Sequence, residues 1–340
     1  MSGQAAAARR TQNAMPAVLL LNLGSPSAPD VPAVRRYLAE FLGDPLVMDR
    51  PKNPFLRRLL VNGLIIPARV RKSARAYQSV WTPAGAPLTA LSERLRAKLA
   101  AALSPRLPVL LAMRYGAPSI AEALRQAAGA GRLLVIPQYP HHAKSSWQTA
   151  VDAVLRLAPE NAPGLRVEIT PPYYADADYI AALHETLRPW LAQPRDHFLI
   201  SYHGLPLRHI RESAPGQNYL GQTAATSAAL ARLAGLAPGS WSTAYQSRLA
   251  GEPWLGPDTA AELARLARAG KKNILLAAPS FTTDCLETLE ELNLRARETF
   301  FAAGGETLHL APCLNDSDAH VAFLKTRALR FLGLSTTNEP

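Results

Sequence analysis

His203 closes the run Phe198-Leu199-Ile200-Ser201-Tyr202-His203-Gly204-Leu205-Pro206, an apolar strand pattern stopped by a Gly-Leu-Pro turn. An imidazole at such a strand end is a base suited to work near pH 7. A matching end follows the apolar run Asn273–Ala278, where Pro279-Ser280-Phe281-Thr282-Thr283 leads into Asp284-Cys285-Leu286-Glu287-Thr288-Leu289-Glu290-Glu291. The spacing predicts that these two stretches face each other across one cleft. Asp284, Glu287 and Glu291 stand at i, i+3 and i+7 of the predicted helix and would share a face. A row of carboxylates suits a hydrated divalent cation or a proton relay, and equally a solvated face. Asp284 and Glu287 also have capping-box spacing, which needs no chemistry.

Other strand ends carry polar and aromatic groups. Leu107–Met113 runs into Arg114-Tyr115-Gly116, and Arg132–Ile136 into Pro137-Gln138-Tyr139-Pro140-His141-His142. Ser240–Tyr245 runs into Gln246-Ser247-Arg248, followed by Pro253-Trp254-Leu255-Gly256-Pro257. In parallel sheets these ends converge on one rim, offering guanidinium for carboxylates and aromatic faces for a flat ligand. His141 and His142 are adjacent, so in an extended segment their side chains diverge and do not chelate as a pair.

The elements that must position these groups alternate. Strands are predicted at Ala17–Leu23, Leu107–Met113, Arg132–Ile136 and Leu165–Thr170, then at His197–Tyr202, Ser240–Tyr245, Lys272–Ala278 and Glu306–Leu310, with amphipathic helices between them. That alternation predicts an α/β protein of two similar Rossmann-like lobes, each a doubly wound parallel four-stranded sheet, with the active cleft between them. The expected division is a tail over 1–14, a first lobe over 15–172, a second over 173–315, and a closing helix with a short tail over 316–340. Asn53–Val70 mixes Phe55, Leu56, Leu59, Leu60, Leu64, Ile65 and Ile66 with Arg57, Arg58 and Arg69. Such a helix can rest on a membrane, form a lip over an apolar ligand, or pack in the core with its arginines in water.

Composition narrows the classes. The 340 residues, 48% hydrophobic and 19% charged, are those of a globular chain with a sizeable core. A formal net charge of +11 favours an anionic partner. No zinc-finger or RNA-binding signature accompanies the charge, so no nucleic-acid partner is expected. No Gly-x-Gly-x-x-Gly, Walker A or Gly-x-Ser-x-Gly motif occurs, which sets aside the common nucleotide-binding and serine-hydrolase readings. Two cysteines, Cys285 and Cys313, make neither a disulfide framework nor the ligand set of an iron–sulfur cluster. The first fourteen residues lack the apolar stretch of a secretory signal. The expected location is the cytoplasm, with peripheral contact at a membrane as the open alternative.

The ordered set Leu20-Leu21-Asn22-Leu23-Gly24-Ser25-Pro26, Tyr37-Leu38-x-x-Phe41-Leu42, Arg114-Tyr115-Gly116, Pro137-Gln138-Tyr139, Ser201-Tyr202-His203-Gly204-Leu205-Pro206, Tyr245-Gln246-Ser247-Arg248, Pro253-Trp254-Leu255-Gly256-Pro257 and Asp284–Glu291 resembles the ferrochelatases, from about Ala17 to Leu332. Any one piece is weak; their order is specific. The resemblance implies a lyase-class metal chelatase that inserts Fe²⁺ into protoporphyrin IX or a closely related porphyrin, releases two protons and makes haem. It implies His203 and Glu287 as the catalytic and metal-binding pair, and Glu291 and Asp284 as a proton or metal relay. Arg114, Tyr115, Tyr139 and Trp254 would hold the porphyrin. Fe²⁺ is then a substrate, no cofactor is required, and no iron–sulfur cluster is expected. The Asn53–Val70 segment looks like the family's apolar lip. The chain departs from the family pattern after Tyr139, where Pro140-His141-His142-Ala143-Lys144 replaces a Ser/Thr-rich run. The rival readings are a chelatase for another metal or tetrapyrrole, such as cobalt or the tetracarboxylate coproporphyrin, and a non-catalytic haem or porphyrin carrier on the same fold.

Overall fold

The computed structural model describes residues 15–103, 107–248 and 252–334; the tail expected over 1–14 lies outside them, as does that at 335–340. Two four-stranded sheets, all parallel, carry the molecule. The first contains β1 (Ala17–Asn22), β2 (Val109–Met113), β3 (Arg132–Pro137) and β4 (Arg166–Ile169), in the order β2-β1-β3-β4. The second contains β5 (His197–His203), β6 (Trp241–Gln246), β7 (Asn273–Ala277) and β8 (Thr307–Leu310), in the order β6-β5-β7-β8. The expected α/β class and the two similar sheets are thus observed, and the shared strand order shows a likeness between the halves that their residues do not.

Burial explains why the central strands read as unbroken apolar runs. Every residue of β1 is buried, and β5 is buried from His197 to Tyr202. A parallel strand covered on both faces has no polar side. One core joins β1, β2, β3 and β5 to the helices between the sheets, including Leu95, Leu99, Tyr179, Phe323 and Leu324. Separate clusters cover the outer faces.

Around the sheets lie α1 (Val31–Gly43), α2 (Pro54–Leu60), α3 (Ile66–Val80), α4 (Pro87–Ala102), α5 (Ile120–Ala127), α6 (Thr149–Asn161), α7 (Ala177–Leu191), α8 (Leu207–Arg211), α9 (Tyr219–Leu233), α10 (Thr259–Arg268), α11 (Arg297–Ala302) and α12 (Asp318–Leu332). The closing helix α12 packs on α7, α4 and β3, and Arg132 of β3 donates to its last carbonyls, among them that of Leu332 at 3.3 Å.

Three wide π-helical turns were not expected: Val61–Ile65 between α2 and α3, Lys144–Gln148 before α6, and Glu287–Ala296 before α11. The helix predicted from Asp284 therefore begins at Glu287, and its first ten residues bond i to i+5. Helical periodicity in a sequence cannot distinguish the two windings, since both keep an apolar stripe.

Candidate active site

In a sheet of order 2-1-3-4 the connection after strand 1 goes to one side and the next to the other, which leaves a crevice at the carboxyl ends of strands 1 and 3. Both lobes follow this rule. A cavity of about 970 Å³, counted out to its open mouth, is lined by Asn22–Ser25 after β1 and Gln138, Tyr139 and His141 after β3. The second lobe contributes His203 and Leu205 after β5, and Ser280–Thr283, Cys285, Leu286 and Glu287 after β7. His203, just after β5, and Glu287, further along after β7, both line this one cavity from the second lobe; the first lobe adds Tyr37 and Phe41 of α1 and Tyr77 of α3.

The tautomer of His203 follows from its surroundings. Nδ1 lies 2.6 Å from the Gly204 carbonyl oxygen, which can only accept. Nδ1 therefore carries the proton in the neutral ring and Nε2 is left with a free lone pair. The strand end is pinned as well: Tyr219 Oη donates to the His203 carbonyl at 2.9 Å, and Phe281 packs edge-on at 6.4 Å. A Cβ at Gly204 would sit 2.7 Å from the Gln246 carbonyl oxygen, so the tight turn after His203 needs glycine.

Glu287 sits at the start of the wide turn, its carbonyl held by Gln246 Nε2 at 3.0 Å. Burial, and then the Tyr77 and Glu287 charges, push the Tyr37 hydroxyl well above its usual pKa; burial and then Glu287 do the same to Tyr77. Burial and then Glu287 likewise push up the Cys285 thiol. The Glu287 side chain thus has neighbours whose own protons are held tightly. Cys285 and Cys313 are both free and buried.

Other expected site residues lie elsewhere. Arg114 and Tyr115 do not line the cavity, because β2 is the edge strand, away from the crevice. Arg114 is paired with Asp44 and donates to Thr149 Oγ1 at 2.8 Å, and the fully buried Tyr115 donates to Asp44 at 2.8 Å. Trp254 follows the other edge strand, β6, and packs behind the cavity wall beside Gly204. Asp284 is buried and accepts from Thr288 Oγ1 at 2.9 Å and Asn315 Nδ2 at 2.6 Å. Its expected capping box with Glu287 does not form; the Cys285 N–H is instead bound by Thr288 Oγ1 at 3.0 Å. Glu291 accepts from Ser247 N at 2.7 Å and Ser247 Oγ at 2.6 Å. Ser247 has φ of 65°, a left-handed conformation that costs a serine on the order of 1–3 kcal/mol, and Glu291 holds it there. The acidic row is therefore divided: Glu287 lines the cavity, while Asp284 and Glu291 are occupied in its support. Tyr139 lines the cavity, and its hydroxyl is buried without a partner.

The sequence reading missed Tyr37, Tyr77, Tyr219 and Phe281 as cavity residues. Tyr37 and Phe41 carry a signal, an i, i+4 aromatic pair on α1, and Phe281 lies in the stretch after β7 already expected at the cleft; Tyr77 and Tyr219 are visible only in three dimensions. It also left His141 without a role. His141 Nε2 is 2.9 Å from Thr226 Oγ1, whose own proton goes to the Tyr174 carbonyl at 2.7 Å. Nε2 therefore donates, and Nδ1 is bare, buried and unpartnered. His142 Nε2 pairs separately, with Gln148 at 3.1 Å, so the two rings do diverge.

Burial pushes His141 down to about 3. An unfolded histidine binds protons near pH 6.5, so between pH 6.5 and 3 the unfolded chain binds the extra proton and stability falls as pH falls. The slope is about 1.4 kcal/mol per pH unit for one such group. His141→Phe is expected to remove roughly 2–3 kcal/mol of the acid loss between pH 6.5 and 4.5 in urea titrations. An unchanged pH slope in the variant would refute this.

The model of the ferrochelatase family matches residues 15–330. The chain is 50% identical over 340 residues to the ferrochelatase of Opitutus terrae, covering 94% of this chain and 98% of that one. It is 44% identical over 335 residues to the ferrochelatase of Pseudomonas aeruginosa PAO1, covering 92% and 96%. Among solved structures, SirB from Bacillus subtilis with Fe³⁺ superposes with a TM-score of 0.54 at 12% identity, over 92% of this chain and 94% of that one, a likeness of fold. With its two matched sheets and a cavity at both switch points, the chain belongs to the ferrochelatase family.

Proposed function

We propose that His203 is the base of the metal-insertion reaction and that Glu287 handles the metal and the departing protons. The overall reaction is that of the family: Fe²⁺ enters a porphyrin, two pyrrole protons leave, and haem is the product. Metal binding to a proton-bearing ligand set releases protons, so a base must stand beside the ring. The observation that carries the assignment is the His203 Nδ1 contact with the Gly204 carbonyl. It leaves Nε2 as an unprotonated acceptor on the wall of an aromatic cavity that suits a flat macrocycle. Glu287 offers a carboxylate to the same cavity, near the protonated hydroxyls of Tyr37 and Tyr77 and the thiol of Cys285. The working division of the chain remains two lobes over 15–172 and 173–315, with α12 closing over the first.

The wall charge bears on the porphyrin. Among the described residues that line the cavity there is no Lys or Arg. An unpaired buried carboxylate costs several kcal/mol. A porphyrin with two propionates on one edge can keep both at the mouth; one with four cannot. Fe²⁺ insertion under anaerobic conditions is expected to run with a kcat/KM about 10–100-fold higher for protoporphyrin IX than for coproporphyrin III, on the order of 1.4–2.7 kcal/mol. Faster turnover of the tetracarboxylate would overturn the substrate assignment, and tight binding of both without turnover would favour a carrier.

A specific surface supports peripheral membrane contact. On α2 and the turn after it, Phe55 is 73% and Leu64 is 64% exposed, and Leu56 and Leu59 are also open to solvent. Arg58, Arg69, Arg71, Lys72 and Arg75 are exposed on the same helical segment. No helix among the described residues is long and apolar enough to cross a membrane. An apolar ridge flanked by cations fits an anionic bilayer surface. Co-sedimentation with phosphatidylglycerol vesicles is expected, reduced at least tenfold in Leu56→Glu/Leu59→Glu; equal binding of both proteins would count against the contact.

A further inference from the structure

The short helix α8 starts just past the His203 turn, and the first lobe grips it at both ends. Arg208 forks onto two carboxylates. Its Nη2 is 2.6 Å from Asp49 Oδ1, its Nη1 also binds Asp49, and its Nε is 2.7 Å from Glu252. His209 Nε2 lies 3.1 Å from the same Asp49. At the other end, Glu212 pairs with Lys144 of the loop after β3 at 3.4 Å.

The two carboxylates differ in where they come from. Glu252 belongs to the second lobe, as Arg208 does. That side is already joined by backbone: Leu207 N donates to the Pro253 carbonyl at 2.9 Å, and Pro206 bridges Trp254. Asp49 belongs to the first lobe. It sits between α1, whose Tyr37 and Phe41 line the cavity, and α2, the exposed ridge. One guanidinium therefore ties the lobe that carries His203 to the lobe that carries Tyr37 and Phe41.

We propose that Arg208 is a positioning residue, an interlobe latch that holds the cleft closed on its substrate through Asp49. The inference rests on the assignment of this cavity as the porphyrin site. Bidentate guanidinium–carboxylate contacts fix geometry as well as adding attraction. The pair is partly open, with Arg208 17% and Asp49 30% exposed, so it is weakened by salt and can release. Opening by release of the latch frees the product; closure traps the porphyrin.

The experiment compares Asp49→Ala, Glu252→Ala, Arg208→Lys and wild type. Porphyrin affinity is read by fluorescence quenching, haem release by stopped flow, kcat and KM by Fe²⁺ insertion, and folding by Tm. Asp49→Ala is expected to raise the porphyrin Kd and KM about 5–10-fold and to speed haem release by a similar factor, with kcat undiminished. Glu252→Ala, which breaks only the contact within one lobe, is expected to stay within twofold of wild type in Kd. Arg208→Lys keeps the charge but not the fork and falls between them. Wild type in 1 M salt is expected to shift toward the Asp49→Ala values. Equal effects of the Asp49 and Glu252 variants, or a lowered Tm with unchanged Kd and release, would overturn the latch. Absence of turnover in the wild type with tight porphyrin binding would instead overturn the enzymatic reading, while the binding and release arms would still report on Arg208.

Discussion

Replacing His203 with alanine is expected to lower kcat for Fe²⁺ insertion about 10²–10⁴-fold while changing porphyrin Kd by less than about fivefold. The split follows from what the side chain does in the cavity. His203 is one wall residue among many that enclose a flat ligand, including Tyr37, Phe41, Tyr139, Leu205, Tyr219 and Phe281. Those side chains supply most of the binding area, so affinity survives the truncation. The lone pair on Nε2 is different. It exists because the Gly204 carbonyl claims the proton on Nδ1, and alanine has nothing to put in its place. His203→Gln tests the same point more narrowly, since an amide keeps hydrogen-bonding capacity but is no base; it is expected to be as slow as alanine. Added imidazole is expected to restore part of the alanine variant's rate, because the vacated volume opens onto the cavity. A variant that loses porphyrin binding in parallel with rate would make His203 a binding residue, and the base would have to be sought elsewhere on the wall.

At the strand ends, what a sequence reveals and what it hides have one physical origin. Strand ends are visible in a sequence because an apolar run stops at a turn, and His203, Tyr139 and Arg114 were all found that way. Strand order is not visible. β1, β3, β5 and β7 end at the two switch points, while β2 and β6 are edge strands. The same cue therefore pointed equally to His203 and Tyr139, which line the cavity, and to Arg114, Tyr115 and Trp254, which follow the edge strands and stand outside its lining. The acidic row failed for another reason. Spacing of i, i+3 and i+7 assumes an α-helical turn, but Glu287–Ala296 is wound more widely and Asp284 precedes it. Asp284 is bonded by the nearby Thr288, but the bonds from Asn315 to Asp284 and from Ser247 to Glu291 come from partners that only the folded chain brings near. The central strands β1, β3, β5 and β7 were legible because parallel strands buried on both faces leave apolar runs, and the edge strands followed from their alternation with helices.

Asp44 is where the role of Arg114 can be measured. Its carboxylate is buried and accepts from Arg114, from Thr149 Oγ1, from Tyr115 Oη at 2.8 Å and from Leu46 N at 2.7 Å. Burial alone would raise its pKa; the hydrogen bonds from Thr149, Leu46 and Tyr115 and the Arg114 charge outweigh it and hold the group below the ordinary carboxylate value. A depressed carboxylate contributes stability that is present above its unfolded pKa, near 3.9, and is lost as pH falls through the folded value. Asp44→Ala removes that acceptor and leaves Arg114, whose side chain is half-buried, without its counter-charge, a change expected to cost about 1–3 kcal/mol. Arg114→Met takes one donor and the counter-charge from Asp44 but leaves those from Thr149, Tyr115 and Leu46, and is expected to cost less, about 1–2 kcal/mol, while porphyrin Kd of the folded protein stays within about threefold of wild type. Asp44→Ala combined with Arg114→Met is expected to cost less than the sum, because neither charge is then left alone. A substrate-binding arginine would give the opposite pattern, with Tm preserved and porphyrin Kd raised tenfold or more. The cavity volume and its lining would then have to extend past the edge strand β2, and the substrate's carboxylates would be drawn toward Asp44, where a second negative charge already stands.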